Sequence, residues 1–499
     1  MGMPDEGGEA FAASRQRFEA LVDFVGGEDA RALSHAELET RLQADGRELL
    51  RQLYQDHLDL RAGREVRVAE VVGSEGIARP RVEAHHHRAL ETVFGEVDVE
   101  RLAYRQPGAP NLHPADARLN LPAERHSHGL RRLAAIESTR GSFDDAVDAI
   151  ERATGQRVAK RQVEQLTAKA AGDVKSFYDA IERRPADDDD VLVISVDGKG
   201  IVMRPDALRP ATAKAAAQAG HKLDTRLSKG EKRYRKRLAE VGAVYDVAPV
   251  PRSPADVLVS KAGTDPPPAP VAKAKWVTAS VAEDAAEVVG RVFDEAGRRD
   301  PDRKRRWVAL VDGNNHQIER IQAEAKARGA KVTIVVDLIH VLEYLWGSVW
   351  CFFAEGDPAA EAWVRDRALA VLAGNAREVA AGIRRRATNG GLSKPKRKKA
   401  DECAKYLTNK AHHLDYPTAL AAGWPIATGI IEGTCRYLVA DRMDITGARW
   451  SVKGAEAVLK LRAVRANDDW DEYWRYHQQQ EHRRVHQPRY ADGVIPMAA

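Results

Sequence analysis

Three carboxylates in this sequence stand where they could act together. Asp197 and Asp312 each end an apolar run and precede a glycine, in "VLVISVDGKG" and "RRWVALVDGNN", and Glu432 lies in "ATGIIEGTCRYLVADRM". In the last stretch Thr428 or Gly429 could cap a helix, with Ile431, Cys435 and Leu438 forming its apolar stripe and Glu432 beside it. Gly433 follows at once, although glycine costs a helix interior about 1 kcal/mol relative to Ala. Acidic residues leaving the ends of buried strands are rigidly held and converge where open α/β sheets bind ligands. Joined by a carboxylate from a helix across the same sheet, they could hold two Mg²⁺ about 3.5–4 Å apart. Such a pair clamps the attacking and leaving oxygens of an in-line phosphoryl displacement. Mg²⁺ is hard and prefers these oxygen ligands. Gly433 then marks a place where substrate backbone or another helix comes close. Each residue also has a plainer explanation: Asp-Gly is a common turn dipeptide, and Glu432 could be a half-buried partner of Arg436.

The surrounding pattern supplies elements to position them. Apolar strands at "VLVISVDGKGIVM", "EVGAVYDVAPV", "KWVTASV" and "RRWVALVDG" alternate with helices such as "AEDAAEVVGRVFDEAGRRD", and "AKVTIVVDLIHVLEYLWGSVW" begins as a strand and turns helical near Asp337. That alternation predicts an α/β sheet with helices on its faces. From about Cys351 to Ala422 the pattern is helical and basic with no further strand, the mark of an insertion before the Glu432 helix. Upstream, residues 9–70 carry helical periodicity, "TVFGEVDVERLAYR" suggests a short β-hairpin with a Gly-Glu turn, and the chain is helical again from Ser127. "RRPADDDD" is a linker whose aspartates read as a solvated tether rather than a metal site.

The length of 499 residues suggests roughly three domains at about 150 residues each. The formal charge of +4 says little as a total, so its distribution matters more. Cys351, Cys403 and Cys435 are far apart, which fits a reducing cytoplasm and indicates neither a disulfide framework nor a zinc ribbon. No stretch reaches the roughly 18 apolar residues of a membrane span, and a soluble protein is expected.

Taken together, "ISVDGKG", "WVALVDG", "VTIVVDLIHVLEYLW", "GIIEGTCRYLVADRMDITGARWS", "FGEVDVERLAYR" and "SHGLRRLAAIESTRGSF" resemble the ISKra-type insertion-sequence DDE transposases, relatives of the Mutator-like group with an RNase H-like catalytic fold. The resemblance runs from about residue 88 to 465. It implies a mixed RNase H-like sheet in residues 190–350 and 425–465, interrupted by an all-α insertion at 351–424. It also implies Asp197, Asp312 and Glu432 as catalytic ligands of two Mg²⁺, with Mn²⁺ a possible substitute. In the wider group an Asp or Cys, two residues and a His lie between the second Asp and the Glu; here this is Asp337-Leu-Ile-His340, which would place His340 at the scissile phosphate or beside a ligand. The alternative makes Asp337 the N-cap of the following helix.

A transposase needs DNA contacts. "GSFDDAVDAIERATGQRVAKRQVEQLTAKAA" has a helix from about Ser142, a break at Thr154 and Gly155, and a second helix with Lys160 and Arg161, the layout of a helix-turn-helix or of an ordinary helical hairpin. In "RRRATNGGLSKPKRKKA", Arg384, Arg385, Arg386, Lys394, Lys396, Arg397, Lys398 and Lys399 form a basic run that Gly390, Gly391 and Pro395 would keep flexible. Dense runs of this kind suit phosphate contacts. "KGEKRYRKR" at 229–237 is a second such run on an expected helix, and Lys199 could neutralise phosphate charge beside Asp197. "HHH" at 85–87 reads as polar surface.

The expected organisation is thus an N-terminal helical region with a hairpin (1–125), a helix-turn-helix-like DNA-binding region (126–185), the two-part core with its insertion, and a C-terminal tail (466–499). The expected function is cleavage of double-stranded DNA at the element's terminal repeats and transfer of the freed 3′-OH into target DNA. Synapsis of two ends would call for a dimer or larger assembly. A resolvase-like nuclease would share the carboxylates without needing the N-terminal half, and a non-catalytic repressor derived from a transposase would bind DNA alone.

Overall fold

The computed structural model describes residues 10–183, 187–218, 235–258, 268–445 and 447–496. They fall into two compact units, residues 1–180 with 469–499 and residues 181–468.

In the first unit, α1 (Ala12–Gly26) and α2 (His35–Gly63) precede an antiparallel hairpin of β1 (Arg81–Thr92) and β2 (Gly95–Arg105). The hairpin is longer than its turn signal suggests. A register shift between Glu83 and His86 lets His85 adopt φ 61°, and His85 and His87 meet Glu100 and Asp98 on the surface. Helices α3 (His128–Arg140), α4 (Phe143–Thr154) and α5 (Lys160–Ala170) follow. Ser142 and Asp145 form a reciprocal cap at the start of α4, and Gly155, at φ 72°, ends it in the left-handed conformation glycine favours. Leu130, Ala134, Val147, Ile150, Val163 and Leu166 form the buried core of this three-helix group. The described residues from Asp469 onward do not form the expected tail. Trp470–Val485 is a helix of this unit, joined to it by a hydrogen bond from the Tyr473 hydroxyl to the Ala170 carbonyl and by Asp173, which accepts from His477 at 2.7 Å.

The second unit is built on a mixed five-stranded sheet in the order β5-β4-β3-β6-β7. Strands β3 (Val191–Val202), β4 (Lys236–Val247) and β5 (Ala272–Ser280) are antiparallel neighbours, whereas β6 (Trp307–Val311) and β7 (Val332–Val336) run parallel to β3. The short strand β6 is buried at every residue, as its unbroken apolar sequence requires. Crossover helices α6 (Ala285–Arg299) and α7 (Asn315–Arg328) deliver β6 and β7. From β7 the chain enters α8 (Leu338–Val349) and then an all-helical segment of α9 (Pro358–Leu372), α10 (Ala376–Asn389) and α11 (Lys394–Lys410), before α12 (Gly429–Thr434) returns to the sheet.

Two expectations are corrected here. The basic segment 384–400 is not a flexible loop: Arg384–Arg386 belong to α10, a short turn containing Gly391 at φ 62° follows, and Pro395 sits in the first turn of α11, where its missing N–H costs nothing. In the run 229–237, residues 229–234 lie outside the described residues, and Lys236 and Arg237 start β4 rather than a helix.

Candidate metal centre

Parallel register creates the site. Leu192 pairs with Trp307 and Ile194 with Ala309, while Trp307 pairs with Val332 and Val311 with Val336. Carried forward, this register sets Asp197, Asp312 and Asp337 in one row, each five residues past Leu192, Trp307 and Val332. Register-matched residues project to the same face, and neighbouring strands lie about 4.8 Å apart. Asp312 and Asp337 leave the ends of β6 and β7. Asp197 lies within β3 rather than at its end, because β3 runs on to Val202 against β4.

The row is electrostatically strained. Burial raises the Asp312 carboxyl above the usual range; Asp197 and Asp337 add to the rise, while a hydrogen bond from the Asn314 amide and the nearby His340 offset part of it. Gly313 shapes this turn, since its φ is 91° and a Cβ there would lie 2.7 Å from the Tyr406 hydroxyl. That hydroxyl donates to the Asp312 carbonyl at 3.0 Å. Glycine is therefore required both by conformation and by close approach.

Asp337 is completely buried and accepts four hydrogen bonds. Its Oδ1 accepts from the Ile339 amide at 3.0 Å and the Thr428 amide at 3.1 Å, and its Oδ2 from the Thr428 hydroxyl at 2.7 Å and His340 Nδ1 at 2.9 Å. Burial alone would raise this carboxyl, yet the donors outweigh it and hold the group below its ordinary range. In return the hydrogen bond to Asp337 lifts His340 to about 9, so the imidazole is cationic at neutral pH. Asp337 is thus both the N-cap of α8 and a member of the row.

Helix α12 crosses that row. Ile431, Cys435 and Leu438 are buried, as their spacing predicts, and Glu432 is exposed beside them. The Thr428 hydroxyl at the start of α12 lies 2.7 Å from Asp337 Oδ2 and 3.0 Å from Glu432 Oε1. It has one proton for two acceptors. Further along, the Cys435 thiol donates to Asp197 Oδ2 at 3.3 Å, and burial and the aspartate raise the thiol above its ordinary range. The helix continues from Cys435 to Ala440 as a π-turn, a form that recurs at functional sites. Among the described residues no helix packs on Gly433: a Cβ at Gly429 or Gly433 would meet none of their atoms within 4 Å outside the helix's own backbone.

The tightest grouping is not the one the sequence suggests. Among the described residues, Asp337, His340 and Glu432 form the group whose ligand atoms all lie within 4.8 Å of one another and could hold a metal ion. Asp197 and Asp312 stand farther along the row. Asp337 is the member that sequence reasoning undervalued, although "VTIVVD" repeats the apolar-run-then-Asp pattern of the other two strands. Tyr406 and Lys410 carry no motif signal and emerge from packing alone, whereas Thr428, expected as a helix cap, sits at that cap and also joins Asp337 to Glu432.

The expected DNA-contacting residues are differently placed. Lys199 is exposed two residues beyond Asp197, on the same face, and its charge reaches Cys435. Lys160 pairs with Asp144 at 2.6 Å, and Arg161 is exposed next to it. Arg397 is held by Asp401 through two bonds at 2.8 and 3.0 Å, Lys398 and Lys399 face Glu402, and Arg386 lies over Phe353 at 4.5 Å. Among the described residues no carboxylate pairs with Arg384, Arg385, Lys394 or Lys396.

A scan against protein-family models finds no match, and a search of curated proteins finds none with significant similarity.

Proposed function

We propose that the chain is a DNA transposase of the DDE type, with an RNase H-like core holding Asp197, Asp312 and Glu432 as metal ligands. The observation that carries this reading is the row of Asp197, Asp312 and Asp337 on three neighbouring strands with the Glu432 helix laid across it. Such an all-oxygen donor set suits a hard cation. The single Thr428 hydroxyl proton is shared between Asp337, whose charge His340 balances, and Glu432, whose negative charge a bound cation would neutralise. Mg²⁺ there, when bound, would polarise the phosphodiester and activate the attacking oxygen.

The chain's own groups do the positioning. Asp337 is too fully engaged by its four donors to move, so it orients His340, whose imidazolium can meet a phosphate oxygen of the scissile bond. Lys199, on the far end of the row, offers a second cation. Water would attack the phosphorus at an element end and displace the 3′ oxygen as a free hydroxyl. That hydroxyl would then attack a target phosphodiester, displacing another 3′ oxygen. Arg384, Arg385, Lys394 and Lys396, which pair with no carboxylate among the described residues, supply phosphate contacts. Lys394 and Lys396 crowd the first turn of α11, where the helix dipole disfavours them, a placement that binding of an anion would relieve. The helix-turn-helix-like α4–α5 pair is the proposed reader of the terminal repeats, and synapsis of two ends makes a dimer the working assembly.

The test is Mg²⁺-dependent cleavage of a plasmid carrying the encoding element with its flanks. Wild type is expected to cut at the element ends and Glu432→Gln to bind the DNA without cutting. Equal cutting by both, or binding without cutting by both, would sink the catalytic reading.

A further inference from the structure

A cleft of about 540 Å³ opens beside His340, between α8 and α11. Its walls combine two chemistries. Tyr344 and Tyr406 stack at 4.0 Å between ring centroids and 17° between planes, and Tyr344 is 37% exposed, leaving one aromatic face open. Lys405 and Lys410 supply positive charge, Lys399 and Glu402 pair at 2.9 Å on the wall, Glu343 adds one carboxylate, and the cleft extends to Asn315 in the first turn of the 14-residue α7.

Lys410 is the most informative of these. It is only 7% exposed, and burial lowers its pKa, with the charges of Asp312 and Glu319 offsetting part of the drop. Its ammonium donates to the Asn315 side-chain oxygen, and among the described residues no carboxylate lies within ion-pair distance. A buried, unpaired ammonium is costly. One at a cleft wall beside a helix N-terminus and the Asp312 turn is suited to an incoming anion. The volume falls within the roughly 300–1,000 Å³ of small-ligand sites, enough for one nucleotide and too small for a duplex.

We infer that this cleft holds an unpaired nucleotide of the DNA strand cut at the carboxylate row, its phosphate on Lys410 and Asn315 and its base on the open face of Tyr344. The inference rests on the transposase reading. It adds that the duplex is opened next to the cleavage point, with the phosphate between cleft and row presented past His340. Tyr406 joins the two places, since it stacks on Tyr344 and hydrogen-bonds the Asp312 carbonyl.

The test uses two fluorescein-labelled probes, a single-stranded dT hexanucleotide and a blunt hairpin duplex, in EDTA so that no cleavage occurs. Tyr344→Ala is expected to weaken hexanucleotide binding about tenfold, the scale of one lost base stack, and duplex binding less than twofold. Lys410→Met is expected to lower the salt slope for the hexanucleotide by about one. Lys405→Gln, on the exposed wall, should lower it similarly and guards against misfolding of the Lys410 variant. Less than twofold weakening by Tyr344→Ala, or equal weakening for both probes, overturns the inference. Because no metal is present, either result leaves the cleavage test standing. Conversely, loss of the cleavage reading with retained selectivity for the hexanucleotide would leave a single-strand-binding cleft without a transposase.

Discussion

Asp197 in β3 and Asp312 just past the end of β6 each lie three residues beyond the last paired residues of these parallel neighbours, Ile194 and Ala309. Two carboxylates so placed repel one another in the absence of a cation. For Asp312 the consequence is a carboxyl raised by burial and by its neighbours. A raised carboxyl binds protons more tightly in the native state, so its contribution falls as pH rises from the unfolded value through the folded one, and at neutral pH the charge opposes folding. Asp312→Asn is therefore expected to leave the melting temperature in EDTA unchanged or higher. Mg²⁺ should stabilise wild type, by about 2.7 kcal/mol at 100 times its dissociation constant, and should not stabilise the variant. Thermal melts with and without Mg²⁺ measure both.

Thr428 joins α12 to the row. Thr428→Val keeps the shape and removes the hydroxyl, leaving buried Asp337 Oδ2 with His340 as its remaining donor. A loss of about 1–3 kcal/mol is expected, read by urea unfolding, and Thr428→Ser should recover most of it. A loss in Thr428→Ser with none in Thr428→Val would show that the methyl group, not the hydroxyl, matters.

Gly313→Ala forces a Cβ toward the Tyr406 hydroxyl in a backbone conformation that Ala adopts poorly. The expected cost is about 1–3 kcal/mol. Tyr406→Phe alone should cost about 1 kcal/mol, for the lost hydrogen bond to the Asp312 carbonyl. Combined, the two should cost less than their sum, because the second removes the atom that the first strikes. Strict additivity in a double-mutant cycle would contradict that contact.

In the first unit His128 and His486 are each lowered to about 4, mainly by burial. Between the ordinary histidine value of 6.5 and about 4, the unfolded chain is protonated at these sites and the native chain is not. Stability is fully present above 6.5 and falls as the pH drops through that window. Melting temperature against pH should show the decline, and His128→Gln should flatten it.

The α/β pattern, the helical insertion and the buried stripe of Ile431, Cys435 and Leu438 were legible in the sequence because each rests on local periodicity. The end of β3 was not. Its Asp-Gly resembles that of β6, and only the pairing of Gly198 with Glu240 on β4 carries the strand onward. Asp337 was legible as a helix cap but not as the third member of a row, since register between strands distant in sequence leaves no local trace. The basic run at 384–400 misled in the opposite sense: its glycines and proline mark one tight turn and one helix start, not a loop.

The π-turn at Cys435–Ala440 has a consequence for how this site tolerates insertions and deletions. A π-turn accommodates one residue more than an α-helical turn, so the segments on either side are out of phase. Deleting one residue there would let a continuous α-helix form and swing one segment about 100° relative to the other. Glu432 could then face the row only by giving up the burial of Leu438 and Val439, which are 1% and 0% exposed. The length of this helix, and not only its residues, thus sets where Glu432 faces.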